Sequence, residues 1–153
     1  MKRIGIVGYG LIGRYIVEHL KELEDVQLSF VYDLNKSATS ALDRDLVCDT
    51  PERLRNLMEE RPVDLVVEAA TYQAVQELAP IILPHGDMLT FSSCAFADET
   101  FSAEAKGLCE KWNHRIYIPH GAVLGYDGIF DGKELLESVR VTTTKRPANL
   151  GSS

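Results

Sequence analysis

Residues 4–13 read IGIVGYGLIG, and they place Gly8, Gly10 and Gly13 in a G-x-G-x-x-G pattern directly after an apolar segment. Glycine at the first position allows a tight turn, at the second it lets a ligand approach the bare backbone, and at the third it lets a helix pack closely on a strand. The free N–H groups at the start of that helix attract anions. The pattern predicts a dinucleotide-binding turn made of Gly8, Tyr9, Gly10, Leu11, Ile12 and Gly13.

A second apolar segment supplies the other half of this pattern. Residues 27–32 are typical of a strand, and Asp33 follows them about 20 residues after Gly13, where an acidic side chain accepts hydrogen bonds from the adenosine ribose. Leu34 and Asn35 come next, with no arginine for a 2′-phosphate, so the sequence favours NAD as cofactor over NADP. The alternative is that Asp33 only ends the strand or caps a helix.

The composition limits the classes of partner and compartment. The chain has 153 residues, which suits one domain, and its 23 acidic against 16 scattered basic residues argue against a nucleic-acid partner. No apolar run approaches the roughly 18 residues of a membrane span. Cys48, Cys94 and Cys109 form neither a CxxC pair nor an even disulfide set, and no metal-ligand pattern is present. We therefore expect a cytoplasmic protein without a metal site or a membrane partner.

Segments typical of strands alternate with segments of helical periodicity along most of the chain. The first predicted helix has Leu11, Ile12, Tyr15, Ile16, Leu20 and Leu23 at helical spacing. Such alternation is typical of an α/β protein with a Rossmann-type, doubly wound parallel sheet. The predicted strands are 3–8, 27–32, 63–67, 88–91 and 115–118, and the predicted helices are 11–23, 35–45, 51–60, 71–83 and 98–112.

The last part of the chain departs from this alternation. A helix is predicted over residues 125–136, and Ser138–Thr144 has the alternating pattern of a strand. We expect residues 1–136 to form the dinucleotide-binding domain and residues 137–153 to start a truncated catalytic or dimerisation domain. Because an unpaired strand invites pairing, Ser138–Thr144 is a candidate edge for a second copy of the chain or for a complementing chain.

Residues that directly follow the strands are the candidates for ligand contact, because the crevice of an open α/β sheet lies at the carboxyl ends of its strands. Ala69, Ala70 and Thr71 follow one strand, although Thr71 is at least equally suited to capping the next helix. Ser92 and Ser93 follow another strand, and a serine-rich turn capped by Asp98 is the equal alternative. Cys94 is interpreted as a small buried thiol rather than a nucleophile.

Residues 117–128 form a glycine-rich segment after the last predicted sheet strand and should border the nicotinamide end of the cofactor. Gly121 and Ala122 are candidate cofactor contacts there. His120 is a weak candidate for an acid/base role in hydride transfer, because a lone loop histidine more often has a structural or solvated role. The catalytic residues are otherwise unassigned from the sequence.

Five motifs together resemble the L-aspartate dehydrogenase family, and the resemblance runs the length of the chain. The glycine motif is shared by many dehydrogenases, whereas the Pro-x-Gly-Ala segment and the threonine-rich segment ending in Lys-x-Pro are more specific. The motifs lie at residues 8–13, 66–70, 92–98, 118–127 and 141–147.

This resemblance implies NAD(P)-dependent oxidation of L-aspartate to iminoaspartate, which hydrolyses to oxaloacetate and ammonia or feeds NAD biosynthesis. It places Ala122 at the family's cofactor-contacting alanine. The family usually has a small residue where His120 stands, so the resemblance gives His120 no catalytic role. It also implies that a C-terminal domain, with the catalytic histidine and much of the oligomer interface, lies outside these residues.

Two other functions stay open from the sequence. One is a non-catalytic NAD(H)-binding module that docks a partner through the edge at Ser138–Thr144. The other is a dehydrogenase for a different small amino or hydroxy acid. The second would share the fold and differ at the loops after Phe91 and Ile118.

Overall fold

Strands and helices alternate along the chain in the computed structural model, which describes residues 1–119, 126–142 and 144. The strands are β1 (Lys2–Val7), β2 (Val26–Tyr32), β3 (Val47–Cys48), β4 (Leu65–Glu68), β5 (Asp87–Thr90) and β6 (Ile116–Tyr117). The helices are α1 (Leu11–Leu20), α2 (Pro51–Glu60), α3 (Tyr72–Ile82), α4 (Glu99–Trp112) and α5 (Tyr126–Asp131), with short 3₁₀ helices at Arg44–Leu46, Ser93–Ala97 and Lys133–Leu135.

The strands form one parallel sheet in the order β3-β2-β1-β4-β5-β6. The order reverses direction between β1 and β4, which is where ligands bind in open α/β sheets. Val7 pairs with Tyr32 on one side and with Glu68 on the other, and Glu68 pairs with Thr90. The carboxyl ends of four strands therefore meet at one edge, and the predicted Rossmann-type fold is confirmed.

The centre of the sheet is held by close packing of β1 against β2. Ile6, Val7 and Phe30 have no exposed surface. A β-carbon added to Gly5 would overlap the Phe30 ring, and the register of the two strands shifts between Ile4 and Gly5. Glycine at position 5 thus makes room for the largest fully buried side chain of the core.

Three helices begin at side-chain caps. The Thr50 hydroxyl accepts a hydrogen bond from the Arg53 amide, and Pro51 occupies the first turn of α2. Thr71 caps α3 in the same way, and the Asp98 carboxylate accepts from two amides at the start of α4. Such caps satisfy amides that have no partner within the helix. Pro80 lies inside α3, which continues to Ile82.

The predicted helix over residues 35–45 is wrong. This segment is a series of turns that ends in the 3₁₀ helix Arg44–Leu46. The Asn35 side chain accepts hydrogen bonds from the backbone amide and the hydroxyl of Ser37, and the Ser40 hydroxyl donates to the Ser37 carbonyl. Such local bonds compete with helical ones, so short polar side chains convert the segment into turns. The two-residue strand β3, which the sequence does not predict, follows.

The predicted apolar face of α1 is only partly correct. The buried residues of this helix are Gly13, Val17 and Leu20, whereas Leu11, Ile12 and Tyr15 are exposed. Gly13 must face the sheet because its α-carbon lies against the turn after β1. That orientation leaves the first apolar residues of the helix on the outside.

The C-terminal part also differs from the prediction. The helix predicted over residues 125–136 is a shorter α5 followed by the 3₁₀ helix Lys133–Leu135. Residues 138–142 and 144 do not form the predicted strand Ser138–Thr144, and Thr143 lies outside the described residues. Val139 is 50% exposed and Val141 is 58% exposed. The described residues of this segment pair with no strand and bury no face.

Contacts divide the chain into two units, Met1–Pro119 and His120–Ser153. The first contains the whole sheet, and the second contains α5 and the last 3₁₀ helix. None of the helices formed by the described residues combines the length and hydropathy needed to cross a bilayer.

Gly5→Ala should lower the free energy of unfolding by about 1–3 kcal/mol, because the added methyl group overpacks the buried Phe30 ring. Urea unfolding followed by circular dichroism measures this. Gly107→Ala is the matched control, because Gly107 is exposed inside α4 with nothing within 4 Å of the added carbon. It should raise stability by about 0.5–1 kcal/mol. Equal effects of the two substitutions would contradict the packing described for Gly5.

Candidate functional site

The glycine turn after β1 is built on two close backbone approaches. Gly8 has φ of 91°, and a β-carbon there would lie 2.7 Å from the Ala69 carbonyl oxygen. A β-carbon on Gly13 would overlap the Gly8 carbonyl oxygen. Both positions therefore need glycine for the fold itself, since the turn packs against the end of β4 and α1 packs against the turn.

Gly10 differs from its two neighbours in the motif. A β-carbon at Gly10 would meet nothing within 4 Å, and the residue is exposed. It is the N-cap of α1 and makes no side-chain cap hydrogen bond. The fold leaves bare backbone and an uncapped helix N-terminus at this point, which suits an anionic group that approaches the chain closely.

Asp33 connects the end of β2 to the glycine turn. Its Oδ2 accepts a hydrogen bond from the Tyr9 amide at 2.6 Å, and its Oδ1 accepts one from the Asn35 amide at 2.7 Å. Each carboxylate oxygen has two acceptor sites, and Asp33 is only half-buried. The side chain therefore has a structural role at the strand end. It can also accept further hydrogen bonds from the hydroxyl groups of a ligand.

Arg14, for which the sequence predicts no role, fixes the outer side of the turn. Its Nε donates to the Tyr9 carbonyl at 3.2 Å, its guanidinium lies 5.4 Å from the centre of the Tyr9 ring, and a further N–H reaches the Ala38 carbonyl. Nothing in the spacing of the glycine motif indicates these contacts, because Ala38 belongs to the segment whose turns replace the predicted helix.

A cavity of about 150 Å³ brings the two halves of the predicted fingerprint together. Burial is the main factor that raises the pKa of the Tyr32 phenol, which lines this cavity. A larger cavity of about 500 Å³, beside Lys36, Arg44 and Arg53, contains none of the predicted site residues. The smaller cavity is lined by Gly8, Tyr32, Asp33, Leu34, Ala70, Thr71 and Ala74.

A second polar cluster lies where β4 and β5 end. Glu68 has no exposed surface, and its carboxylate accepts hydrogen bonds from the Ala70 amide, the Thr90 hydroxyl, and both the amide and the hydroxyl of Ser92. The sequence predicts Ser92 at this edge, but no role is predicted there for Glu68. An acidic residue that ends a buried apolar strand is the signal that was available.

The other predicted residues have varied surroundings. Ala69 is half-buried under Gly8, and the Thr71 hydroxyl accepts from the Ala74 amide as a helix cap. Ser93 is exposed at the start of a 3₁₀ helix. The prediction that Cys94 is buried is wrong, because the turn points this residue towards solvent.

Three predicted residues, His120, Gly121 and Ala122, lie outside the described residues. Within the described part of the chain, no group of three His, Cys, Asp or Glu side chains is arranged to hold a metal ion.

The sequence of this part of the chain also matches a family model. Residues 8–119 match the family described as homoserine dehydrogenase, NAD binding domain. The chain belongs to this family. The match starts at the first glycine of the turn and includes β2, β4 and β5 with the residues at their ends. The predicted use of NAD as cofactor is confirmed by this membership.

Curated relatives and solved structures extend the comparison. The chain is 36% identical over 154 aligned positions to an L-aspartate dehydrogenase of Nitrosopumilus maritimus, covering 98% of this chain and 56% of that protein. It is 33% identical to an L-aspartate dehydrogenase of Archaeoglobus fulgidus, with 97% and 58% covered. The predicted resemblance to the L-aspartate dehydrogenase family is confirmed. The chain spans just over half the length of these relatives.

Among solved structures, an aspartate dehydrogenase from Thermotoga maritima superposes with a TM-score of 0.59 at 26% identity, covering 88% of this chain and 52% of that one. A meso-dapdh mutant from Clostridium tetani superposes with a TM-score of 0.67 at 19% identity, covering 89% and 42%. The second similarity concerns the fold alone.

The residues of this NAD-binding domain fit a dinucleotide on structural grounds. The open backbone at Gly10 and the amides of α1 suit the pyrophosphate, and Asp33 lies beside them on the cavity wall. Glycine at position 10 has no other explanation in the packing.

Gly10→Ser should separate binding from folding. Serine is a favourable N-cap, so we expect the free energy of unfolding to stay within about 0.5 kcal/mol of the wild-type value. The added side chain occupies the space at the open backbone, and we expect the dissociation constant for NAD to rise about tenfold or more. Isothermal calorimetry and urea unfolding measure the two quantities. Unchanged NAD affinity would contradict the assignment of this backbone to the pyrophosphate.

Proposed function

We propose that this chain binds NAD for an L-aspartate dehydrogenase reaction. The observation that carries the proposal is the glycine turn with an unobstructed Gly10 beside Asp33, in a chain 36% identical to an L-aspartate dehydrogenase over 98% of its length. The turn and the carboxylate account for the cofactor, and the relatives' names suggest the substrate.

In the proposed reaction, the α-carbon of L-aspartate loses a hydride and its amino group loses a proton, which gives iminoaspartate. Bound NAD supplies the hydride acceptor. The turn from Gly8 to Gly13 holds the pyrophosphate, and Asp33 accepts hydrogen bonds from the adenosine ribose hydroxyls. Ser92 and Ser93 offer hydroxyl groups on the nicotinamide side of the crevice.

Several finer parts of the proposal rest on the sequence. Contacts of Gly121 and Ala122 with the nicotinamide end stay predictions, and His120 stays an acid/base candidate. The domain boundary near residue 136 and pairing through Ser138–Thr144 also stay predictions. We place the reaction in the cytoplasm because Cys48, Cys94 and Cys109 are free thiols. Iminoaspartate from this reaction would feed NAD biosynthesis.

L-Aspartate turnover tests the proposal directly. The chain is incubated with NAD and L-aspartate, and NADH formation is followed by absorbance while calorimetry establishes that NAD is bound. We expect NADH formation with L-aspartate and none with L-malate, which tests the hydroxy-acid alternative. If the chain alone is inactive, a second polypeptide that completes the site should restore activity.

Bound NAD without L-aspartate turnover, both for the chain alone and with the second polypeptide, would contradict the proposal. It would favour a non-catalytic NAD-binding module. Faster turnover with L-malate would instead favour a dehydrogenase for hydroxy acids.

Asp33→Ala should weaken NAD binding about tenfold while NADP binding changes much less, because only NAD offers a free 2′-hydroxyl to the carboxylate. Calorimetry with both cofactors measures the difference. Loss of the Tyr9 amide contact would affect the two cofactors alike. An equal loss of affinity for NAD and NADP would therefore contradict the ribose contact and leave Asp33 with its structural role.

A further inference from the structure

Glu68 is a fully buried acidic residue at the ligand edge of the sheet. It ends β4 and has no exposed surface, and in the sheet it lies between Val7 of β1 and Thr90 of β5. Burying a carboxylate is costly unless hydrogen bonds compensate it. The surroundings of Glu68 must therefore supply those bonds.

Four donors surround the carboxylate. Oε1 accepts from the Ala70 amide at 2.7 Å and from the Ser92 hydroxyl at 2.8 Å. Oε2 accepts from the Thr90 hydroxyl and from the Ser92 amide at 3.2 Å. A backbone amide can only donate, so each oxygen faces at least one fixed donor. Such an arrangement suits a carboxylate anion, which only accepts hydrogen bonds.

Within the described residues, no cationic side chain forms an ion pair with this carboxylate. The ion pairs between described residues join Lys2 to Asp64, Lys36 to Asp49, and Lys106 to Glu110. Hydrogen-bond donors therefore stabilise the carboxylate of Glu68 without cancelling its charge. A buried, uncancelled charge projects a field that water screens only weakly.

The position of Glu68 along the crevice indicates what feels this field. A dinucleotide lies across the point where the strand order reverses, and Asp33 at the end of β2 belongs to its adenosine half. The other half extends over the carboxyl ends of β4 and β5, where Glu68 and Ser92 lie. The nicotinamide ring in that half carries a positive charge when oxidised and none when reduced.

We propose that the buried carboxylate of Glu68 makes this site bind the oxidised nicotinamide in preference to the reduced one. The proposal rests on the cofactor site of the proposed function and adds a specificity-determining residue to it. The negative charge attracts the cationic ring and gives no such advantage to the neutral ring. A site with this bias takes up NAD⁺ and releases NADH, as an oxidation in the direction of NADH formation requires.

Glu68→Gln tests the charge at nearly constant shape. We expect the ratio of the NADH to the NAD⁺ dissociation constant to fall about tenfold, because the substitution removes a charge that interacts with only one redox form. Calorimetry with each cofactor form measures the ratio without requiring catalysis. A purely structural role of Glu68 would change both affinities by the same factor and leave the ratio unaltered.

Two further variants strengthen the test. Thr90→Val removes one hydrogen bond to Glu68 and keeps the charge, so it should leave the ratio within about twofold of the wild-type value. Glu68→Met is made alongside Glu68→Gln, because the glutamine amide group would face a backbone amide. Far-UV circular dichroism establishes which neutral variant keeps the fold.

Each outcome decides the proposal. A fall of the ratio in a folded neutral variant, but not in Thr90→Val, supports it. An unchanged ratio in the neutral variant, or an equal fall in Thr90→Val, overturns it. If neither neutral variant folds, the wild-type chain decides: tighter binding of NAD⁺ supports the proposal, and tighter binding of NADH overturns it.

This inference and the proposed function fail separately. Turnover of L-aspartate with an unchanged ratio overturns the role of Glu68 and leaves the proposed function standing. A lower ratio in the neutral variant without turnover of L-aspartate supports the role of Glu68 and overturns the proposed function.

Discussion

The turn between β1 and α1 has room for no side chain at two positions, and the remainder of the ligand edge depends on this constraint. A β-carbon at Gly13 would overlap the Gly8 carbonyl oxygen, and one at Gly8 would press on the Ala69 carbonyl. With both absent, α1 begins directly against the sheet beside the end of β4. The helix N-terminus and the switch point of the strand order therefore coincide.

Two carboxylates then hold the loops around this point. Asp33 binds the Tyr9 amide from the β2 side, and Glu68 binds the Ala70 and Ser92 amides from the β4 side. Both use side-chain oxygens to fix backbone amides of the loops that follow the strands. Their difference is exposure, since Asp33 is half-buried and can still reach a ligand, whereas Glu68 is sealed and acts on a ligand only through its field.

The elements that the sequence predicts correctly are those with local signals. The glycine turn, the apolar run of β4 and the caps at Thr71 and Asp98 each depend on residues within a few positions of one another. The same is true of the family resemblance, which depends on contiguous motifs. These signals suffice for the parallel sheet and for the alternation of strands and helices outside residues 35–48.

The features that were not predicted depend on hydrogen-bond partners distant in sequence or on competition between local hydrogen bonds. Glu68 gains its role from Thr90 and Ser92, which the neighbouring strand brings to it. The turns after Asn35 replace a helix because its side chain binds Ser37. In α1, the need to place Gly13 against the turn decides which face is buried, and apolar periodicity does not reveal that need.

The central claim is that NAD lies along the carboxyl edge of the sheet, from Asp33 across the glycine turn to the ends of β4 and β5. Nuclear magnetic resonance of the isotope-labelled chain during titration with NAD⁺ tests this residue by residue. The account predicts that the largest amide shifts occur at Gly10, Leu11, Asp33, Ala70 and Ser92. Shifts confined to the cavity beside Lys36, Arg44 and Arg53, or no shifts at saturating NAD⁺, would contradict it.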